Sequence, residues 1–155
     1  MKPITVIVTA SGAPGTAALL RALRENGERD VRLVGTDMSE RSVGAHLCDA
    51  FHLVPAGSDP GFADAMLAIA EREVADAILP QSSFDLAGLA AHRERFPMPV
   101  LVSRPDTIAR SNDKAETYAL LPTEERDRLK IVGPAREVLV KGREQPLLLF
   151  EIAVP

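Results

Sequence analysis

The chain has 155 residues, 46% hydrophobic and 26% charged, with a formal net charge of -4. That length suits one domain, or one domain and a tail, and the balance excludes disorder, collagen and coiled coil. An acidic chain has no basic surplus to neutralise a phosphate backbone, so nucleic acid is not an expected partner. The single cysteine, Cys48, excludes an intramolecular disulfide and a multi-cysteine zinc site, and a reducing cytoplasm is the simplest compartment. His46, His52 and His92 have no metal-ligand spacing, so no metal site is expected. No apolar run approaches the roughly 18 residues of a membrane span, so no membrane partner is expected either.

Strand and helix patterns alternate over the first hundred residues. Residues 4–10 (ITVIVTA) are β-branched and apolar, as a strand buried on both faces requires. Residues 15–27 follow as a helix whose apolar face is read as Ala18, Leu19, Ala22 and Leu23, with Gly27 as its stop. A second strand spans 31–37, a short helix 42–50, and a short strand 50–55. Residues 59–73 form a helix with Asp59 as N-cap and Pro60 in its first turn. Strands at 76–80 and 99–103 flank a helix over 83–96. The fold class is therefore α/β, a Rossmann-like doubly wound parallel sheet with right-handed crossovers.

The rhythm changes after residue 104. Residues 104–121 read as two short helices broken near Ser111-Asn112, ended by Pro122. Residues 136–154 read as a C-terminal β-hairpin turning at Gly142-Arg143-Glu144. Its apolar run 147–150 is unusual for a free edge, and pairing through it would make a homodimer.

Ser11-Gly12-Ala13-Pro14-Gly15-Thr16 lies between the first strand and the first helix. Glycines allow close backbone approach, and a helix N-terminus offers free N–H groups to an anion. Asp37 follows Gly12 by 25 residues, near where an acid meets a ribose hydroxyl in dinucleotide folds. The spacing is G-x-x-G rather than G-x-G-x-x-G, and Ala10 stands where the first glycine would be. The plainer alternative is a tight turn and close helix packing. Ligands of an open parallel sheet bind at the carboxyl ends of its strands, which adds Gln81, Ser82 and Ser83 to the candidates. For Ser82 and Ser83 the plainer alternative is N-capping. Neither serine sits in a G-x-S-x-G elbow, so hydrolase chemistry is not indicated.

Four segments, VIVTASGAPGTAALLRALREN, LVGTDMSERSVGAHLCDAFHLVP, DAILPQSSFDLAGLA and SNDKAETYALL, taken in order, resemble ATP-grasp ligases of the carbamoyl-phosphate-synthase-large-subunit-like kind. The resemblance covers residues 4 to about 121. It implies a pre-ATP-grasp domain over 1–110, the truncated start of an ATP-grasp region over 111–122, and a linker with hairpin tail over 123–155. It also implies ATP and magnesium as cofactors, with Lys114 approaching nucleotide phosphates; an exposed helix lysine is the plainer reading of that residue. The pattern stops near Leu121, so the chain alone is expected not to catalyse ligation. A weaker resemblance links 132–152 to the last strands of class III adenylate/guanylate cyclases and would point to Lys141.

Three readings follow. The first is a non-catalytic pre-ATP-grasp module that binds a small anionic ligand or an ATP-grasp core partner. The second is an independent nucleotide-binding Rossmann-type enzyme using Gly12, Gly15 and Asp37. The third is a structural or interaction module dimerising through its tail.

Overall fold

Successive residues of a strand point to opposite faces of a sheet, and here both faces are apolar. The computed structural model describes residues 2–124 and the short strands at 130–131, 136–138, 147–149 and 152–153. Strand β1 (Ile4–Val8) sends Val6 and Val8 to one side and Ile7 to the other. Strand β2 (Val31–Asp37) divides Leu33 and Val34 in the same way. With β3 (Ala50–Leu53) and β4 (Ala77–Leu79) they form a four-stranded sheet in the order β3-β2-β1-β4, parallel throughout. The expected doubly wound α/β architecture is present, and the strand order reverses between β1 and β4.

Helix α1 (Thr16–Arg24) packs Leu20 against Val6, Val8 and Leu33. Its buried stripe is Thr16 and Leu20 with Leu19 and Leu23 partly covered, while Ala18 and Ala22 are exposed. This stripe differs from the one expected from sequence, because the polar Thr16 occupies an inward position. The short helix α2 (Gly44–Leu47) precedes β3. Helices α3 (Phe62–Arg72) and α4 (Ser83–Ala91) supply Phe62, Met66, Ile69 and Leu89 to the other cluster, around Ile7, Val34 and Ile78. The α3 cap is Gly61 rather than Asp59; Asp59 instead accepts the Gly61 N–H at 2.7 Å in the preceding turn.

The strand expected over 99–103 narrows to one parallel bridge, Ile78 to Val100. Pro97 and Pro99 remove two ladder donors there, and Leu101 N–H still donates to Ile78 O at 2.9 Å. Helices α5 (Pro105–Asn112) and α6 (Lys114–Ala119) follow, broken at Asp113. The chain divides into two compact units, Met1–Ala109 and Arg110–Pro155. In the second, β5 (Lys130–Ile131) pairs antiparallel with β8 (Ile152–Ala153), and β6 (Arg136–Val138) with β7 (Leu147–Leu149). The turn expected at 142–144 and Lys141 lie outside the described residues. Among the described residues no helix is long and apolar enough to cross a membrane.

Candidate functional site

The carboxyl ends of β1 and β2 are joined by a dense set of local hydrogen bonds. Ser11 N–H donates to Thr36 O at 3.0 Å, which holds the loop after β1 to the end of β2. The Ser11 and Ser42 hydroxyls lie 3.0 Å apart, both buried, and Gly44 N–H donates to Ser11 O at 3.0 Å. A side chain at Gly44 would collide with Ser11, so only glycine lets α2 come this close. Ala10 turns the chain into this loop with φ 45°, a left-handed conformation uncommon outside glycine.

Asp37 faces the loop as expected, but its partners are the chain's own backbone. Oδ2 accepts Gly12 N–H at 2.7 Å, and Oδ1 accepts Ser39 N–H at 3.0 Å. A carboxylate therefore already sits on the loop N–H that a pyrophosphate would use. A nucleotide phosphate at that N–H would meet the negative charge at hydrogen-bond distance. Gly15 is the N-cap of α1 with φ -85°, and no atom lies within 4 Å of where its Cβ would stand. Thr16 is fully buried, and its hydroxyl has no hydrogen-bond partner among the described residues.

The third and fourth strand ends are arranged differently. Ser82 is the N-cap of α4, and its hydroxyl accepts Asp85 N–H at 3.1 Å. Ser83 is the first residue of that helix, and the Gln81 amide donates to Pro80 O at 3.1 Å. Asp85 is only 8% exposed. Its Oδ2 accepts the Thr9 hydroxyl at 2.6 Å, a bond that ties α4 to the end of β1. A Cβ at Gly57 would lie 2.6 Å from both Asp85 N and Asp85 Oδ1, so this loop is pressed against the first turn of α4.

Between these loops lies a cavity of about 350 Å³. Ala10, Asp37, Val54, Gly57, Ser82 and Asp85 form its wall, with Met38 and Phe84 at 67% and 64% exposure on its lining. It stands at the carboxyl ends of the strands where the sheet order reverses, the place at which open α/β sheets bind ligands. Of the residues singled out from sequence, Asp37 and Ser82 line it. Ser11, Gly12, Gly15, Thr16, Gln81 and Ser83 are not part of its lining. Thr9, Gly57, Ser58 and Phe84 were not singled out and carry no motif, and Asp85 stands out only as the acid that follows Gln81-Ser82-Ser83 on the helix. Lys114 opens α6, and what its side chain meets lies outside the described residues.

Other titratable groups serve packing. Burial pushes the Cys48 thiol up to about 11, which leaves it protonated and unreactive near neutrality. Burial raises the Asp49 carboxyl, but the Leu33 N–H at 2.7 Å and Arg24 at 2.9 Å outweigh it and hold the group below its usual range. Arg32 and His52, each 2.7 Å from Glu73, hold that carboxyl below its usual range as well. Among the described residues no group of three or more His, Cys, Asp or Glu is placed to hold a metal.

The family model of the PylC-like N-terminal domain matches residues 6–102. The chain belongs to that family. This is the pre-ATP-grasp N-terminal domain that the sequence resemblance implied. Among solved structures, glycinamide-RNase-transformylase T from Mycobacterium tuberculosis is similar at TM-score 0.58 and 16% identity, over 94% of this chain and 50% of that one. The biotin carboxylase domain of a single-chain bacterial carboxylase is similar at 0.56 and 17%, over 75% and 28%. A complete multifunctional pyruvate carboxylase from Rhizobium etli is similar at 0.54 and 18%, over 77% and 12%. Identities this low show a shared fold. The PylC-like chain spans half or less of the length of each. No curated protein matches it.

Proposed function

We propose that the pre-ATP-grasp domain is a ligand-holding module of an ATP-grasp ligase-like protein, non-catalytic by itself. Its cavity at the sheet's carboxyl edge receives a small molecule, and a partner ATP-grasp core handles ATP and magnesium. The observation that carries this reading is the cavity of about 350 Å³ where the strand order reverses, walled by loops from all four strands. The Asp37 carboxylate on Gly12 N–H supports placing nucleotide phosphates elsewhere. The same contact counts against an independent dinucleotide-binding enzyme, whose pyrophosphate would need that loop.

Backbone amide NMR of the full chain tests the proposal. Titration with MgATP should leave the amides of Asp37, Gly57 and Ser58 in place, and the chain alone should release no phosphate from ATP. Saturable MgATP shifts at Gly12 and Asp37, or ATP turnover without a partner, would overturn it.

A further inference from the structure

The turn between α1 and β2 is held by one side chain. The last carbonyls of a helix have no partner within it, and at the end of α1 the Asn26 amide supplies one. Its Nδ2 donates to Leu23 O at 2.6 Å and to Arg29 O at 2.9 Å, and its Oδ1 accepts Glu28 N–H at 2.8 Å and Arg29 N–H at 3.0 Å. A primary amide has two N–H donors and two acceptor lone pairs, so Asn26 uses every direction it has. The next residue, Gly27, has φ 75°, a left-handed conformation that glycine adopts without steric cost. The turn therefore calls for asparagine and then glycine, for two separate reasons. That dipeptide is also chemically labile, because glycine has no side chain to keep its nitrogen away from the asparagine carbonyl carbon. Both residues are exposed, so water and base reach them. The chain's other asparagine, Asn112, precedes Asp113, whose side chain hinders the same approach.

We propose that Asn26 is a deamidation site that the native turn protects and that opening of the turn exposes to irreversible conversion. In the step itself the Gly27 nitrogen loses its proton to base and attacks Asn26 Cγ. The N–Cγ bond forms, the Cγ–Nδ2 bond breaks, and Nδ2 leaves as ammonia. Water then opens the cyclic imide at either carbonyl and leaves aspartate or isoaspartate at position 26. Closing a planar imide ring forces the Asn26 side chain away from a staggered rotamer, and the four hydrogen bonds of the native turn oppose that rotation. After conversion to aspartate an oxygen replaces Nδ2. It carries no proton near neutrality, so the bonds to Leu23 O and Arg29 O are lost and those carbonyls face a negative charge. A negative charge at a helix C-terminus is unfavourable as well. Isoaspartate adds a methylene to the main chain in the same place. A chain converted while open therefore cannot rebuild the turn it left.

The full chain, held in mildly alkaline buffer in its native state and in urea at the same pH, provides the test, with positions 26 and 112 followed by peptide mass spectrometry. In urea, Asn26 should convert faster than Asn112; the reverse order would overturn the assignment of Asn26 as the labile position. In the native chain, conversion at Asn26 should be about ten-fold slower or more, because only molecules with the turn open react. Equal rates in the two states would overturn the protection. Chains converted in urea and returned to native buffer should unfold at a lower urea concentration than unconverted chains treated in the same way. Asn26→Asp should share that loss and separates it from any change at Asn112. Failure of either to refold is the extreme of the same result and supports it. An unfolding midpoint that stays at the wild-type value in both would show that the turn closes equally well on a carboxylate and would overturn the irreversibility.

Discussion

Two loop systems share the carboxyl edge of one sheet and have opposite characters. The β1–α1 loop is glycine-rich and sits at a helix N-terminus, yet it is closed by the chain itself. Asp37 takes the Gly12 N–H, Ser42 meets the Ser11 hydroxyl, and Gly44 donates to Ser11 O. The loops after β3 and β4 have no such motif, yet they wall a cavity with Asp37 and Asp85 in its lining. A glycine-rich turn after a strand thus marks close backbone approach, and what approaches can be another part of the same chain.

The sharpest way to break this contrast is to fill the tightest contact on the cavity side. At Gly57 an added Cβ would lie 2.6 Å from backbone atoms of both Phe84 and Asp85, which a side-chain rotation cannot relieve. Gly57→Ala should cost about 2–3 kcal/mol in urea unfolding, the scale of overpacking in a close-packed interior. A loss under about 0.5 kcal/mol, within the range of an ordinary surface substitution, would mean the loop moves freely away from α4 and the cavity has no fixed wall.

Asp85→Ala should come next, at about 1–3 kcal/mol. It leaves the buried Thr9 hydroxyl without its acceptor and removes an acid from the first turn of α4. The double variant with Thr9→Val should lose less than the sum of the two single changes, since each then removes the same bond. Additive losses would show that the two side chains act separately and that α4 is held to β1 by apolar packing alone.

Much of the fold is legible in the sequence, and the reason is local. The strands at 4–8, 31–37, 50–53 and 77–79 are short runs rich in apolar and β-branched residues, and the central pair, 4–8 and 31–37, is buried on both faces and shows the pattern most plainly. The α1 stripe is misread because Thr16 hides it: a buried threonine breaks the apolar period, and Ala18 and Ala22 supply a false one on the exposed side. The edge at 99–103 reads as a full strand because Val100 and Val102 look like one, while the prolines that limit its ladder act through missing donors. The site is legible only in part. Asp37 stands where the spacing puts it, but its partner is the backbone of residue 12 rather than a ribose. The Thr9–Asp85 bond joins residues 76 apart, and no local pattern encodes such a meeting.

Acid sharpens the comparison from outside both loops, at the Arg32–Glu73–His52 cluster. The folded-state pKa of Glu73 is depressed, first by Arg32 and then by His52, below the ordinary glutamate value of about 4.3. A depressed acid contributes stability above its unfolded value and loses it as pH falls toward the folded one. Wild-type stability should therefore fall in the window from about pH 5 downward, and Glu73→Gln should flatten that part of the profile while lowering stability at neutral pH. An unchanged acid slope in the variant would show that the cluster contributes no net stability.

The smallest effect is expected at Gly15, and it separates the two loop systems most cleanly. If the glycine-rich turn were a ligand cradle, a methyl group at Gly15 would intrude on whatever bound there. The space around it is open, its φ of -85° suits any residue, and it is not part of the cavity lining. Alanine reduces the freedom of the unfolded chain, which stabilises by about 0.4–1 kcal/mol. It is also a poorer N-cap than glycine, which works in the other direction. The two should leave Gly15→Ala within about 0.5 kcal/mol of wild type in urea unfolding. A loss well above that range would show that the space around Gly15 is not open and that the glycine turn packs against another part of the chain.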